Sequence, residues 1–470
     1  MKGNEGMYAP LPKDDKTALP SDLIRVSNRI VERGMANDRL TAINPSTFDP
    51  LTGLGNATRL RDEVCAVVRE RASDPAPFAI GLANLDGFKP INDLFGPAAG
   101  DEILRQVAQR LSACIPEGAS VMRMGKDEFG FVLPLVFERT GAEKFGTMLR
   151  DVLSAPFALG SRNVRLSASF GFAIHPFAGN DVEDLIKSAA TALYRSKRRG
   201  RAQITVYSQE IAQEMSEATE LEQALRNAII ADEVDVHFQP IVDMRTERVM
   251  GFEALARWHD AHLGFVSPER FVKLAEERGF IESLSETLLR KAAKAALCWP
   301  PDLFLSFNLS SAQMTNPATA HTLLKIIERA GLSPHRLELE ITETAVMADA
   351  DIAQRIIAQL RASGIGLSLD DFGTGQSSLG RLRDFTFDKV KIDRAFVSGL
   401  GRDHASEHII RAVVAMCEGL KLGVVAEGIE EVTEAQTLKA IGCRMGQGYL
   451  YARPVDSAAT QAYLQRAYHR

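Results

Sequence analysis

The sequence predicts two domains, an N-terminal α/β or α+β domain and a C-terminal (β/α)8 TIM-like barrel, joined by a helix. Three observations carry that prediction. A chain of 470 residues with 45% hydrophobic and 25% charged content is too long for one core. Short apolar runs alternate with helical stretches between Phe48 and Tyr207. After Val234 the texture becomes a repeated exchange of one strand and one helix, over a length that fits a single barrel of about 250 residues.

Residues 1 to 20 are rich in Pro, Gly, Asp and Lys without an apolar period, the composition of an untethered tail. From Ser21 to Ile43 apolar residues such as Leu23, Val26, Ile30 and Val31 recur at loosely helical spacing behind a Ser21-Asp22 cap, so 1–44 is read as tail and lead-in helix. In 45–206, strand candidates PFAIGLANL, FGFVLPLVF and VRLSASFGFAI alternate with the helical DEILRQVAQRLSAC and VEDLIKSAATALYRSK. SQEIAQEMSEATELEQALRNAII is charged, helical in period and free of Gly and Pro, which predicts a bridging helix with the linker at 207–220. In 221–470 the strand candidates are VDVHFQPIVD, GFEALARW, LFLSFNLS, RLELEIT, IGLSLDDF, KVKID, GVVAEGI and the short MGQGYLY. Intervening helices such as TAHTLLKIIERAG and DIAQRIIAQLRASG end in Gly, the residue that closes a helix in the left-handed conformation.

A formal net charge of −6 argues against a protein that coats a nucleic-acid polymer or anionic lipid through a general basic field. The five cysteines, Cys65, Cys114, Cys298, Cys417 and Cys443, are scattered and form no CxxC pair, so they read as buried thiols in a reducing compartment. No apolar run approaches the roughly 18 residues a membrane span needs, and the polar start lacks a signal-peptide core. The expectation is a cytoplasmic protein with no membrane partner.

In a barrel of this kind the chemistry collects where strands end and helices begin. Reading those ends in turn gives Glu253 in FEALARW, Asn308 in SFNLSS, Glu340 and Glu343 in LEITET, Asp370 and Asp371 in LSLDDFGTG, Lys391 in KVKID, Glu427 in VVAEGI and Gln447 in MGQGYL. Singly, each has a plainer role: a solvated Glu, a surface Lys, a capping Gln, or Asn308 as a turn former before Ser310 and Ser311. Their repetition at the ends of apolar strands favours function, because an unpaired buried carboxylate costs on the order of several kcal/mol. One lysine cannot balance so many acids. Divalent ions can, and an Asp/Glu/Asn set without a His or Cys cluster favours Mg2+ or Mn2+ over zinc, read here as two ions. Neighbouring residues of a regular strand face opposite ways, so Asp370 and Asp371 must lie where their strand is ending. The following FGTGQSSLG suits a mobile loop over a site. Two ions beside a phosphodiester make its hydrolysis the natural reaction.

These motifs resemble the EAL family of cyclic di-GMP phosphodiesterases over 221–470, with FQPIVD, FEALARW, NLSS, LEITET, DDFGTGQSSL, KVKID, AEGIE and QGYLYARP in family order. The resemblance implies that Glu253, Asn308, Glu340 and Asp370 ligate one metal and that Asp370 and Asp371 hold the second. It implies that Lys391 orients or deprotonates the attacking water, that Glu427 is a metal or water ligand, and that Glu343 braces the Asp370-Asp371 loop. Gln239, Leu255, Arg257, Gln447 and Arg453 fall to the substrate, with Gln447 also as support. The implied product is linear pGpG, and a homodimer through this domain is implied likewise. Arg444 departs from the acid usual in the family, putting a local or dimer contact in doubt.

The first half resembles a GGDEF diguanylate cyclase domain through DPLTGLGN, LANLDGFKPINDLFG, Gly100-Asp101, RMGKDEF and ALYRSKRRGR. Here the departures matter. Lys126 replaces the second glycine of the signature turn, placing a long side chain where backbone must approach a nucleotide. Asn84 replaces a metal-binding aspartate, while Asp127 remains at the other metal position. Pro116 and Ala119 occupy the positions of the product-inhibition motif. The resemblance therefore implies a domain without cyclase activity. Asn92 and Asp101 match guanine-contacting positions, and Lys197 and Arg201 phosphate-contacting ones, so GTP as an allosteric ligand stands beside a plain scaffold role. Two further readings stay open: a catalytically inactive cyclic di-GMP receptor or scaffold, and residual cyclase activity.

Overall fold

The computed structural model describes residues 45–71, 76–372, 385–400 and 404–468. The tail, the lead-in helix and residues 373–380 of the glycine-serine loop lie outside the described residues. The chain divides into two compact units, with the boundary between Ala218 and Thr219.

The first unit is built on a five-stranded sheet of order β2-β3-β1-β6-β7, comprising β1 (Phe78–Asp86), β2 (Ser120–Gly125), β3 (Glu128–Leu133), β6 (Ser167–His175) and β7 (Ile204–Val206). A small hairpin, β4 (Phe157–Leu159) with β5 (Arg162–Val164), stands apart from it. The central β1 reads as a nearly continuous apolar run because both its faces are covered. Ala79, Ala83 and Leu85 enter one core with the helices Pro97–Cys114 and Arg139–Ser154, while Phe78 and Ile80 enter the other with Ala57–Arg71 and Val182–Arg198. This two-residue alternation produces two helix layers around one sheet.

The helix Gln209–Ile230 runs past the expected linker end at 220. Its later residues Leu221, Leu225 and Ala228 join the core of the second unit, so burial of this apolar stripe extends the element.

The second unit is a closed eight-stranded barrel. Its strands are β8 (Asp235–Asp243), β9 (Val249–Asp260), β11 (Phe304–Leu309), β12 (Leu337–Thr342), β13 (Gly366–Phe372), β14 (Lys389–Ile392), β15 (Gly423–Ala426) and β16 (Met445–Gly446), while β10 (Gly264–Val266) extends β9 as a hairpin. The uniform (β/α)8 expectation is corrected at the first strand: β8 runs antiparallel to both β9 and β16, and the remaining pairs are parallel. The reason is the length of the connection. Residues 244–248 cannot hold a crossover helix, so the chain turns back on itself. Asp243 Oδ1 accepts from the backbone N–H groups of Arg245 and Thr246, and Glu247 takes a φ of 59° to complete the turn.

Two further expectations change. Glu253 lies inside β9 rather than at its end, because β9 outruns the barrel to pair with β10; the parallel pairing with β11 stops at Ala254 opposite Phe307. Cys298 is exposed, in the turn after the helix Ile281–Ala296, and Cys65 and Cys114 are half-buried, leaving only Cys417 and Cys443 buried; all five are free thiols. Among the described residues no helix is long and apolar enough to cross a membrane.

Candidate active site

The barrel strands bring one lysine into the middle of an acidic group. Lys391 on β14 is 1% exposed. Its Nζ lies 2.6 Å from Glu340, 2.5 Å from Glu427, 3.7 Å from Asp370 and 3.8 Å from Glu253. Parallel pairing makes this possible: Glu340 on β12 is level with Asn308 on β11, and Asp370 on β13 is level with Thr342. Equivalent ends of successive strands therefore face one mouth.

Each acid has its own support. Glu253 Oε1 accepts from Asn308 Nδ2 at 2.7 Å and its Oε2 from Gln447 Nε2 at 2.5 Å. Glu340 Oε1 accepts from Ser306 Oγ at 2.7 Å. Asp370 and Asp371 occupy the register break between Leu369 and Phe372, where Asp371 takes a φ of 55°, and both line one cavity. The strand does end its regular course here, and the irregular backbone lets neighbours share a face.

The electrostatics follow from burial. Burial alone would lower the pKa of Lys391, but Glu253, Glu340, Glu427 and Asp370 outweigh it and hold the pKa well above the ordinary lysine value. Burial, then the Glu253 charge, pushes Glu340 well up. Burial raises Glu427 to about 8 against the opposing pull of Lys391. Glu253 goes the other way, since Lys391 and the hydrogen bonds from Gln447 and Asn308 overcome its desolvation. Asp371 is raised by burial and by Asp370.

Among the described residues no three acidic, His or Cys side chains form a ready metal cage; the ammonium stands between the carboxylates. The donor set nonetheless fits hard divalent ions. Glu340 Oε2 and Asp370 Oδ1 are buried without an aligned hydrogen bond. The Asn308 amide gives its N–H to Glu253, which leaves its oxygen available. Five carboxylates (Glu253, Glu340, Asp370, Asp371, Glu427) against one ammonium leave four negative charges, which two divalent ions would balance.

A cavity of about 670 Å³ opens beside this group. Asn308, Asp370 and Asp371 line it on one side, with Leu255, Val272 and Leu284 among its apolar walls. Of the residues expected at the substrate, Leu255 lines this cavity. Gln239 is buried and engaged elsewhere, donating to the Ala452 carbonyl at 3.0 Å and accepting from Gln447 at 3.0 Å. Arg257 is half-buried and donates to the Ala256 carbonyl, and the Arg453 guanidinium lies 4.2 Å over the Tyr449 ring. Glu343 opens the helix Glu343–Ala348, and the loop it was expected to brace lies outside the described residues. Arg444 binds buried Asp243 at 2.8 Å, a contact on the β8–β9 turn.

Sequence reasoning missed Ser306, Ser310 and Glu276. Ser306 had a signal, since it precedes Asn308 by two and so shares its face of the strand. Ser310 Oγ donates to Glu276 Oε1 at 2.5 Å, a pairing between distant segments with no local pattern.

In the first unit, Leu85 N donates to the Asp127 carbonyl at 3.1 Å, which sets Asn84 and Asp127 on adjacent segments. Lys126 holds a φ of 45° in the turn after Gly125, and Arg123 clamps that turn by donating to the Lys126 carbonyl and to Asp49. Asp86 is consumed internally, accepting from Ser167, Ser169 and the Ala202 N–H. The Asn92 amide leans over Gly100, where a Cβ would meet its oxygen at 1.9 Å, and Asp101 follows in the same helix. Lys197 ends the helix Val182–Arg198, and Arg201 follows with a φ of 60°.

Comparison with known proteins adds independent findings. Residues 222–454 match the family described as EAL domain, and 46–203 match Diguanylate cyclase, GGDEF domain. The chain is 31% identical to the Escherichia coli protein named cyclic di-GMP phosphodiesterase PdeR, covering 94% of this chain and 67% of that one. It is 33% identical to the Pseudomonas aeruginosa protein named bifunctional diguanylate cyclase/cyclic di-GMP phosphodiesterase MucR, covering 91% of this chain and 63% of that protein. A solved structure titled PaMucR Phosphodiesterase, c-di-GMP complex, superposes with a TM-score of 0.50 at 35% identity over 51% of this chain and 99% of that one. The chain spans about half the length of several curated relatives it matches, 53% and 52% for two of them.

Proposed function

The chain belongs to the family of proteins that join a GGDEF domain to an EAL domain, and from that premise we propose that its barrel hydrolyses cyclic di-GMP to linear pGpG. The observation that carries the reading is the convergence of Glu253, Glu340, Asp370 and Glu427 on Lys391 beside an open cavity. Two Mg2+ or Mn2+ ions, held by Glu253, Asn308, Glu340, Asp370, Asp371 and Glu427, would supply charge neutralisation at the phosphodiester and lower the pKa of the attacking water.

The protein's own groups do the rest. Lys391 is a compact donor at the centre and orients the attacking water, and Glu427 lies 2.5 Å from its ammonium. Gln447 and Asn308 fix Glu253 from two sides. Leu255 in the cavity wall offers an apolar surface to a base; Arg257 and Arg453, which lie outside that lining, are assigned to the phosphates by the family resemblance alone. The substrate dianion would approach a site whose acids bound divalent cations would screen.

The first unit regulates rather than cyclises in this reading. Asn84 withdraws a carboxylate from the metal position, Lys126 fills the signature turn, and Asn92, Asp101, Asp127, Lys197 and Arg201 remain as a GTP-binding remnant. Pairing of two copies through the barrel domain belongs to the same proposal. A second reading, a cyclic di-GMP receptor without turnover, draws support from the ammonium standing between the carboxylates.

The test is incubation of the full chain with cyclic di-GMP and Mg2+ or Mn2+, following pGpG by chromatography, with Glu253→Ala as control. Turnover in the parent and its loss in the control support the enzyme. Binding without turnover under either ion overturns it and favours the receptor. Repeating the assay with GTP reports on the first unit, for which an unchanged rate and no GTP binding leave a scaffold.

A further inference from the structure

We infer that Glu276, acting through the Ser310 hydroxyl, is a positioning residue for Asn308. The inference rests on the proposed role of Asn308 as a metal ligand. Two of the other oxygen donors are each held by neighbouring side chains: Glu253 by Gln447 and Asn308, Glu340 by Ser306. Asn308 is different. The residue is exposed and, among the described residues, its amide N–H goes to Glu253, so the direction of its oxygen depends on that one bond and on the path of the backbone leaving β11.

That path has ladder support on one side: the pairing of β11 with β9 stops at Phe307 opposite Ala254, while the pairing with β12 runs through Asn308 opposite Glu340 and ends at Leu309 opposite Ile341, so Ser310 is the first residue beyond it. There the chain is pinned twice. Ser310 Oγ donates to Glu276 Oε1 at 2.5 Å, and Ser310 N donates to Gln313 Oε1 at 3.3 Å. Gln313 is buried and accepts from Ser285 Oγ at 3.0 Å, so one pin is fixed in the protein core. The other pin is the Glu276 carboxylate, which stands on the helix Pro268–Glu277 and lines the same cavity as Asn308 and Asp370. A hydroxyl bound to a carboxylate is among the stronger neutral-to-charged hydrogen bonds, well suited to fix a strand end. Glu276 thus couples the cavity wall to the metal-ligating rim, and loss of such outer support lowers metal affinity without removing a ligand.

The hydrogen bond, not the charge, carries the effect, because a Gln side chain can still accept from Ser310. The experiment is calorimetric titration of Mn2+ into the full chain and its variants, with melting temperatures in EDTA as the check on folding. Glu276→Ala and Ser310→Ala are expected to weaken Mn2+ binding by about 10–100-fold. The double variant is expected to be no weaker than either single one, and Glu276→Gln to retain the parent affinity. Two results overturn the inference: parent affinity in both Glu276→Ala and Ser310→Ala while Asn308→Ala has lost it, or a loss in Glu276→Gln equal to that in Glu276→Ala. Parent affinity in Asn308→Ala itself instead overturns the metal reading on which the inference rests, so the two failures are distinct.

Discussion

The Lys391 ammonium and the Glu340 carboxylate meet at 2.6 Å with each residue 1% exposed. Lys391 is the internal counter-charge for the acids around it, and removing one partner of a buried ionic group leaves the others uncompensated. Lys391→Met is therefore expected to destabilise the metal-free chain by about 3–5 kcal/mol. Urea unfolding in EDTA measures this. Saturating Mg2+ should recover much of the loss, since an ion that binds only the folded state at a hundredfold excess over Kd adds about 2.7 kcal/mol. An unchanged midpoint in EDTA would show that the ammonium does not neutralise the group.

The Arg444–Asp243 contact makes a pH prediction. The Arg444 hydrogen bond, together with donors from Thr246 and Arg245, holds the Asp243 carboxyl at about 2, below its ordinary 3.8. The folded carboxyl thus binds its proton less readily than the unfolded one. Its stabilisation is complete above pH 4 to 5 and is lost as pH falls through 3.8 toward 2. Arg444 is largely exposed, so Arg444→Ala is expected to cost only about 1 kcal/mol at neutral pH. Denaturation curves of parent and variant should converge as pH is lowered across that window, and a difference independent of pH would contradict the assignment.

Much of this was legible in the sequence, for identifiable reasons. The eight barrel strands announce themselves because buried strands are mostly apolar, with most of the charged residues that break the runs gathered at their ends. The Asp370-Asp371 pair implied its own backbone irregularity, which Asp371 realises with its positive φ. The reversed β8 was also written in the chain, in a connection at 244–248 too short for a helix, but the strand-helix alternation of the rest of the C-terminal half masks that local signal. The part that could not be read is long-range hydrogen bonding. Nothing in PERFVKLAEE says that Glu276 meets Ser310, and nothing in FQPIVD says that Gln239 spends its amide on Ala452 and Gln447.

The turn at Lys126 predicts a gain of stability without a gain of function. Its φ of 45° disfavours any L side chain by roughly 1–2 kcal/mol, so Lys126→Gly should stabilise the first unit by about 1 kcal/mol. On the proposed reading, in which Asn84 denies the ion a carboxylate, neither the parent nor this variant should convert GTP to cyclic di-GMP in Mg2+. Detectable product is expected only when Asn84→Asp is combined with it. Cyclase activity in the parent would refute the degenerate reading directly.

Gln239 decides between a substrate contact and a support. Its oxygen accepts from Gln447 Nε2, the same nitrogen that donates to Glu253 Oε2 at 2.5 Å, and its own amide is anchored on the Ala452 carbonyl. A chain of fixed amides therefore aims one N–H at a buried carboxylate, and each link removes freedom from the next. Gln447→Leu deletes the donor to Glu253, costing about 1–3 kcal/mol for the unsatisfied acid. Turnover should fall with it by about 10–100-fold. Gln239→Ala leaves the donor in place but loosens its direction. If Gln239 acts through Gln447, that variant should lower kcat with KM nearly unchanged, because an interaction that shapes the reacting centre is felt in the transition state. If it instead grips the dinucleotide, KM should rise with kcat retained. Steady-state kinetics of Gln239→Ala, with Gln447→Leu as the reference, separates the two, and a pure KM effect would return Gln239 to the substrate.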